Sequence, residues 1–146
     1  MEQLFACAEV LGVEVRHSPM EDRAGVYYDD LKLIVIDPRL SQEVEEFTLA
    51  HEIGHAYYGH RGESPLEESL ADEVAAALLI RSHDMLECSE LSDGPHYAVQ
   101  ELGVSSRAVE AYTRIASKRS LLGRIHNEVL RPALHQMGEP QRGCFL

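Results

Sequence analysis

The sequence predicts an α+β fold, in which a short antiparallel or mixed sheet packs on one buried helix and a helical lobe follows. Three observations carry this reading. Short β-rich runs, GVYY and LKLIVID, lie between residues 25 and 37 and are long enough only for a small sheet. The run FTLAHEIGHAYYGH, residues 47–60, is apolar on nearly every side of a helix, and such a helix is buried. From residue 96 onward, apolar residues recur only at helical spacing. The 146 residues read as one domain with enough chain to bury a real core: an α+β part over 1–82, and a helical lobe with a helix-turn-helix-like outline over 83–146.

Each element has a local reason. Leu4, Phe5, Ala8 and Leu11 stand at helical spacing, so residues 2–11 form a helix that Gly12 ends. Val13 and Val15, then Val26, Tyr27 and Tyr28, mark two short strands. Asp29-Asp30 is a turn, and Leu31 to Asp37 is a strand by its β-branched content. That strand suits a substrate-pairing edge and a buried central position equally well. Asp37-Pro38 stops it and Ser41 caps the next helix. Glu43, Glu45 and Glu46 then place negative charge where the helix dipole favours it, and Gly59 closes the helix.

In PLEESLADEVAAALLI, the residues Leu66, Leu70, Val74, Ala77 and Leu78 keep helical spacing. The polar run RSHDMLECSELSDGPH then has little periodicity and reads as a loop or short helices. HYAVQELGVSSRAVEAYTRIA outlines a helix-turn-helix: Ala98, Val99 and Leu102, a turn at Gly103, a cap at Ser105, then Val109, Tyr112 and Ile115. Reading DNA needs a basic recognition face, and Arg107 with Arg114 is a thin one, so residues 96–117 are expected to pack on the rest of the chain. Leu121, Leu122, Ile125, Val129 and Leu130 make residues 117–136 one more amphipathic helix, which Gly123 and Pro132 weaken or kink. GEPQRGCFL is expected to fray.

Charge is unevenly placed. Residues 1–104 hold 6 Lys and Arg against 22 Asp and Glu, a balance of −16, while residues 105–146 hold 7 against 3, a balance of +4. The acidic part should repel nucleic acid and favour a cationic protein surface. No apolar run reaches 18 residues, so no membrane span is expected. The start lacks the basic region of a signal peptide, and Cys7, Cys88 and Cys144 fit reduced thiols, which together point to the cytoplasm.

The chemistry concentrates in HEIGH, residues 51–55. Positions 51 and 55 fall about 40° apart on one helix face, so His51 and His55 can share one metal ion, with Glu52 beside them as a proton acceptor. Chance alone yields such a pattern in this composition with a probability of about 0.05, so the surroundings must decide. Buried histidines and a buried glutamate need partners, and a metal supplies them. His60 follows His55 by five positions, not the six of the HExxHxxGxxH pattern. Glu68 and Asp72, at i and i+4, share a face, which suits a metal carboxylate and a second carboxylate holding the N–H of a ligating histidine. Two histidines, a glutamate and water make an open, catalytic zinc site.

FTLAHEIGHAYYGH followed by ESLADEVAAALLI resembles the ImmA/IrrE family of zinc metallopeptidases, over roughly residues 25 to 80. That family's pattern runs from an AHE[LI]GH helix to a helix of the form ExxA[ND]xFAAxLL. Val74 and Arg81 stand where the family usually has Phe and Pro; neither position is a ligand. The resemblance implies a small zincin-like metallopeptidase fold, Zn2+ held by His51, His55 and Glu68, and Glu52 as general base. It also implies a protein substrate, a helix-turn-helix repressor of a phage or other mobile element. An oxyanion or substrate contact is still required, for which Tyr27, Tyr28, Tyr58, His60, His83 and His96 are candidates. Two other readings remain: a non-catalytic zinc protein that regulates a repressor by binding, and a DNA-binding protein using residues 96–117.

Overall fold

A computed structural model describes residues 1–80 and 106–138. In order, the elements are α1 (Glu2–Val10), β1 (Glu14–His17), β2 (Gly25–Tyr28), β3 (Leu33–Ile36), α2 (Gln42–Tyr58), α3 (Pro65–Leu79), α4 (Ser106–Ala116), α5 (Arg119–Ile125) and α6 (Arg131–Gln136). The class is α+β. The polar run after Ile80, the first helix of the helix-turn-helix outline, His83, His96 and the tail after Gly138 lie outside the described residues.

The sheet is mixed, in the order β1-β3-β2. β1 runs parallel to β3 with Glu14 opposite Leu33, and β2 runs antiparallel with Gly25 opposite Ile36. LKLIVID is therefore the central strand, not the edge. Its pleat sends Ile34 and Ile36 into the core, both without exposed surface. At its end Asp37 accepts hydrogen bonds from the Arg39 side chain, the Arg39 N–H and the Met20 N–H, which hold its carboxyl far below the usual range. This cluster fastens the loop before β2 to the entry of α2.

α2 starts where Ser41 accepts from the Val44 N–H and ends at Gly59, whose φ of 68° is the left-handed turn that glycine takes without strain. Eight consecutive residues, Thr48 to His55, are buried. The sheet covers one side of the helix and α3 the other. α3 begins with a capping box, in which Ser64 accepts from the Glu67 N–H and Glu67 accepts from the Ser64 N–H. That S-x-x-E signature was readable in the sequence.

Two expected core residues are not in the core. Leu66 is 68% exposed, because it sits in the first turn of α3 beyond the reach of α2, and Phe5 lies on the outer face of α1. In the last helices, Val109, Tyr112, Ile115, Ile125 and Val129 are buried as their spacing requires. Pro132 does not break the run. The helix widens into a π turn over His126–Leu130, where the Arg131 N–H reaches the His126 carbonyl. The wider turn relieves the clash a proline ring makes with the carbonyl four residues back. No helix among the described residues is long and apolar enough to cross a membrane.

α2 and α3 touch at Gly54. A Cβ placed there would lie 2.6 Å from the Ala71 carbonyl oxygen and 2.8 Å from the Ala71 Cα, both backbone atoms that cannot swing aside. Gly54→Ala is thus expected to destabilise the protein by about 1–3 kcal/mol, visible in thermal unfolding as a clear drop in Tm. An unchanged Tm would mean that the two helices do not pack this closely.

Candidate metal centre

The tight contact at Gly54 and Ala71 brings the third residue of the site into place, one turn earlier on α3. Glu68 Oε2 lies 3.0 Å from His51 Nε2, Glu68 Oε1 lies 3.0 Å from His55 Nε2, and the two Nε2 atoms are 3.1 Å apart. Corners of a tetrahedron with the 2.0–2.1 Å arms of a zinc site are separated by about 3.3 Å. Two imidazole nitrogens and a carboxylate at nearly that spacing fit such an ion. Ligand-type atoms of Glu52 also lie within 4.8 Å of both histidines. Glu52 Oε2, however, is 4.0 Å from His51 Nε2, so Glu68 is the better third donor and Glu52 is left free for proton transfer.

The electrostatics follow from burial and partners. His51 Nδ1–H donates to Asp72 Oδ1 at 2.7 Å, which leaves the lone pair of its Nε2 turned toward Glu68 and His55. Burial opposes charge on His51, but the Asp72 hydrogen bond and the carboxylates of Glu52, Asp72 and Glu68 outweigh it and raise its pKa. Burial and the neighbouring His51 lower that of His55. Burial pushes Glu52 up to about 7, against the pull of His51 and with help from Glu68. Asp72 is pulled down despite its burial by hydrogen bonds from His51 and Arg107.

Arg107 and Arg114 do not form an outward basic face. Arg107 Nε donates to Asp72 Oδ2 at 2.7 Å, and its guanidinium lies 5.3 Å over the Phe47 ring. Arg114 Nε donates to buried Glu73 at 3.2 Å, and Lys118 Nζ donates to its other oxygen at 2.8 Å. These residues tie α4 to α3. Sequence reasoning weighed the two arginines only as DNA contacts and missed this use of them. The signal was present, because a buried acid such as Glu73 demands a cation.

An open cleft runs over the site, lined by Arg23, Ala24, Gly25, Phe47, Thr48, His51, Glu52, Glu63, Glu68 and Arg107. Arg23 pairs with Glu63 across its rim. The start of β2, an edge strand among the described residues, thus faces the candidate centre. Of the other sequence candidates, the four within the described residues do not line this cleft. Tyr27 donates its hydroxyl to Asp29, Tyr28 is half exposed, and Tyr58 stacks on His60. His60 lies behind His55, with its Nδ1 3.0 Å from His55 Nδ1.

A family model for the IrrE N-terminal-like domain, a peptidase domain, matches residues 8–112. The radiation response metalloprotease IrrE of Deinococcus radiodurans is similar to this chain, 34% identical over 88 residues that cover 50% of the chain and 26% of that protein. The chain therefore corresponds to about a quarter of that relative's length.

Proposed function

The chain belongs to the IrrE N-terminal-like peptidase family, and from that premise we propose that it is a zinc-dependent endopeptidase acting on a protein partner. The observation that carries the reading is the convergence of His51 Nε2, His55 Nε2 and the Glu68 carboxylate at 3.0–3.1 Å, with buried Glu52 beside them. His51, His55 and Glu68 would hold the ion. When bound, it supplies a Lewis acid and a water acidified toward neutral pH.

The chain's own groups do the rest. Asp72 holds the remote nitrogen of His51, so the ring presents Nε2 to the centre. Glu52 takes the proton of the attacking water on its carboxylate and returns it to the leaving amine. Burial raises the pKa of Glu52, which strengthens its carboxylate as a base. Among the described residues β2 is an edge strand, and Gly25 at its start would offer main-chain hydrogen bonds to an extended peptide laid along the cleft. Because Arg107, Arg114 and Lys118 clamp α4 to α3, the helical lobe reads as part of the same unit.

The proposed substrate is a helix-turn-helix repressor of a phage or other mobile element, met in the cytoplasm. The resemblance over residues 25 to 80 supports it, as does the −16 balance of residues 1–104, which favours a cationic partner. Incubating the purified protein with such a repressor, with and without a chelator, tests it. Metal-dependent cleavage is expected. Binding without cleavage would favour the regulatory reading instead.

Direct DNA reading is disfavoured by where the arginines point. Phosphate neutralisation needs a clustered basic face, and Arg107 and Arg114 are engaged with Asp72 and Glu73. Gel-shift titration at physiological salt is expected to find no tight, specific duplex complex. A nanomolar complex weakened by Arg107→Ala would reverse the assignment.

A further inference from the structure

The two histidines of α2 use different partners for their remote nitrogens. His51 Nδ1 meets Asp72, a pure acceptor, whereas His55 Nδ1 meets His60 Nδ1 at 3.0 Å. The fold builds that second meeting deliberately. Gly59 turns left-handed after α2, and the His60 N–H then donates to the His55 carbonyl at 2.9 Å. The His60 ring is stacked on Tyr58, with ring centres 5.2 Å apart and planes 13° from parallel. It stands against His55 at 66°.

Two Nδ1 atoms 3.0 Å apart share one proton. If His60 carries it, neutral His55 holds its own proton on Nε2 and has no lone pair there for a metal. If His55 carries it, His55 Nε2 is free to ligate, and His60 is the Nε2–H tautomer accepting at Nδ1. Only the second arrangement is compatible with a site made of His51, His55 and Glu68. We propose that His60 is the positioning residue for His55, accepting the His55 Nδ1 proton and so turning the His55 Nε2 lone pair to the centre. His60 thus does for His55 what Asp72 does for His51. This inference rests on the metal-centre reading above.

Zinc alone is the probe. The unsubstituted chain, His60→Phe and His60→Asn are compared by competition against a zinc chelator of known affinity. Phenylalanine keeps a ring on Tyr58 but cannot accept a hydrogen bond, while asparagine can place an oxygen near the position of Nδ1. His60→Phe is expected to bind zinc about 10–100-fold more weakly, and His60→Asn to return to within a few-fold of the natural chain. Imidazole nitrogen NMR of the zinc-loaded natural chain gives a readout that needs no substitution: His55 protonated at Nδ1 and His60 at Nε2. Unchanged affinity in His60→Phe would overturn the inference. So would an asparagine variant as weak as phenylalanine, or a zinc-loaded His60 protonated at Nδ1. A natural chain that binds no zinc would instead sink the metal-centre reading, and this inference with it.

Discussion

Glu52→Gln is expected to bind about one zinc per chain, as the natural protein should, and to lose on the order of 10²–10⁴ in cleavage rate. The side chain is buried and nearly isosteric, and Glu52 Oε2 lies 4.0 Å from His51 Nε2, beyond the Glu68 oxygens. The amide keeps the shape of the site but cannot take a proton. The pH dependence has a definite sign. Burial raises Glu52 to about 7, so its basic form is depleted at lower pH, and the rate should fall on the acid side. A bound dication draws that limb toward lower pH.

The same shift bears on stability in the metal-free protein. A carboxyl whose pKa rises on folding contributes stability below its unfolded value, near 4.5, and loses it as pH climbs to about 7. Metal-free Glu52→Gln should therefore melt no lower than the natural chain at pH 8. Normal cleavage by the glutamine variant would end the peptidase proposal.

Glu68→Ala is expected to remove most of the zinc affinity, more than the roughly 10–100-fold loss expected of Asp72→Ala, whose carboxylate acts through the far nitrogen of His51. Glu68 also sets one carboxylate oxygen 3.0 Å from each Nε2 atom, so its loss removes the third corner of the site. Fold should survive, because Glu68 is only partly buried and the α2–α3 contact at Gly54 and Ala71 does not include its side chain. Metal analysis of the purified variants decides the matter. Zinc retained in Glu68→Ala would show that the third donor is another residue.

Much of this was legible in one dimension because it depends on local periodicity. The four-residue spacing of His51 and His55 puts two imidazoles on one helix face whatever surrounds them. Ser41 and Gly59 bound that helix through hydrogen bonds and a backbone angle that involve only near neighbours. The i, i+4 relation of Glu68 and Asp72 is likewise a property of α3 alone.

What the sequence could not determine depends on which elements meet. LKLIVID has the composition of either an edge or a central strand, and only the pairing of β1 and β2 on its two sides made it central. Phe5 and Leu66 satisfy helical spacing yet face outward, because burial depends on a neighbour being there. Arg107 and Arg114 looked like a thin basic face until the approach of α4 to α3 gave them Asp72 and Glu73. His60 had several candidate roles until a left-handed turn at Gly59 folded it onto the remote nitrogen of His55. Spacing along one helix sets which side chains share a face; contact between separate elements is set by packing, and packing is a property of the whole chain.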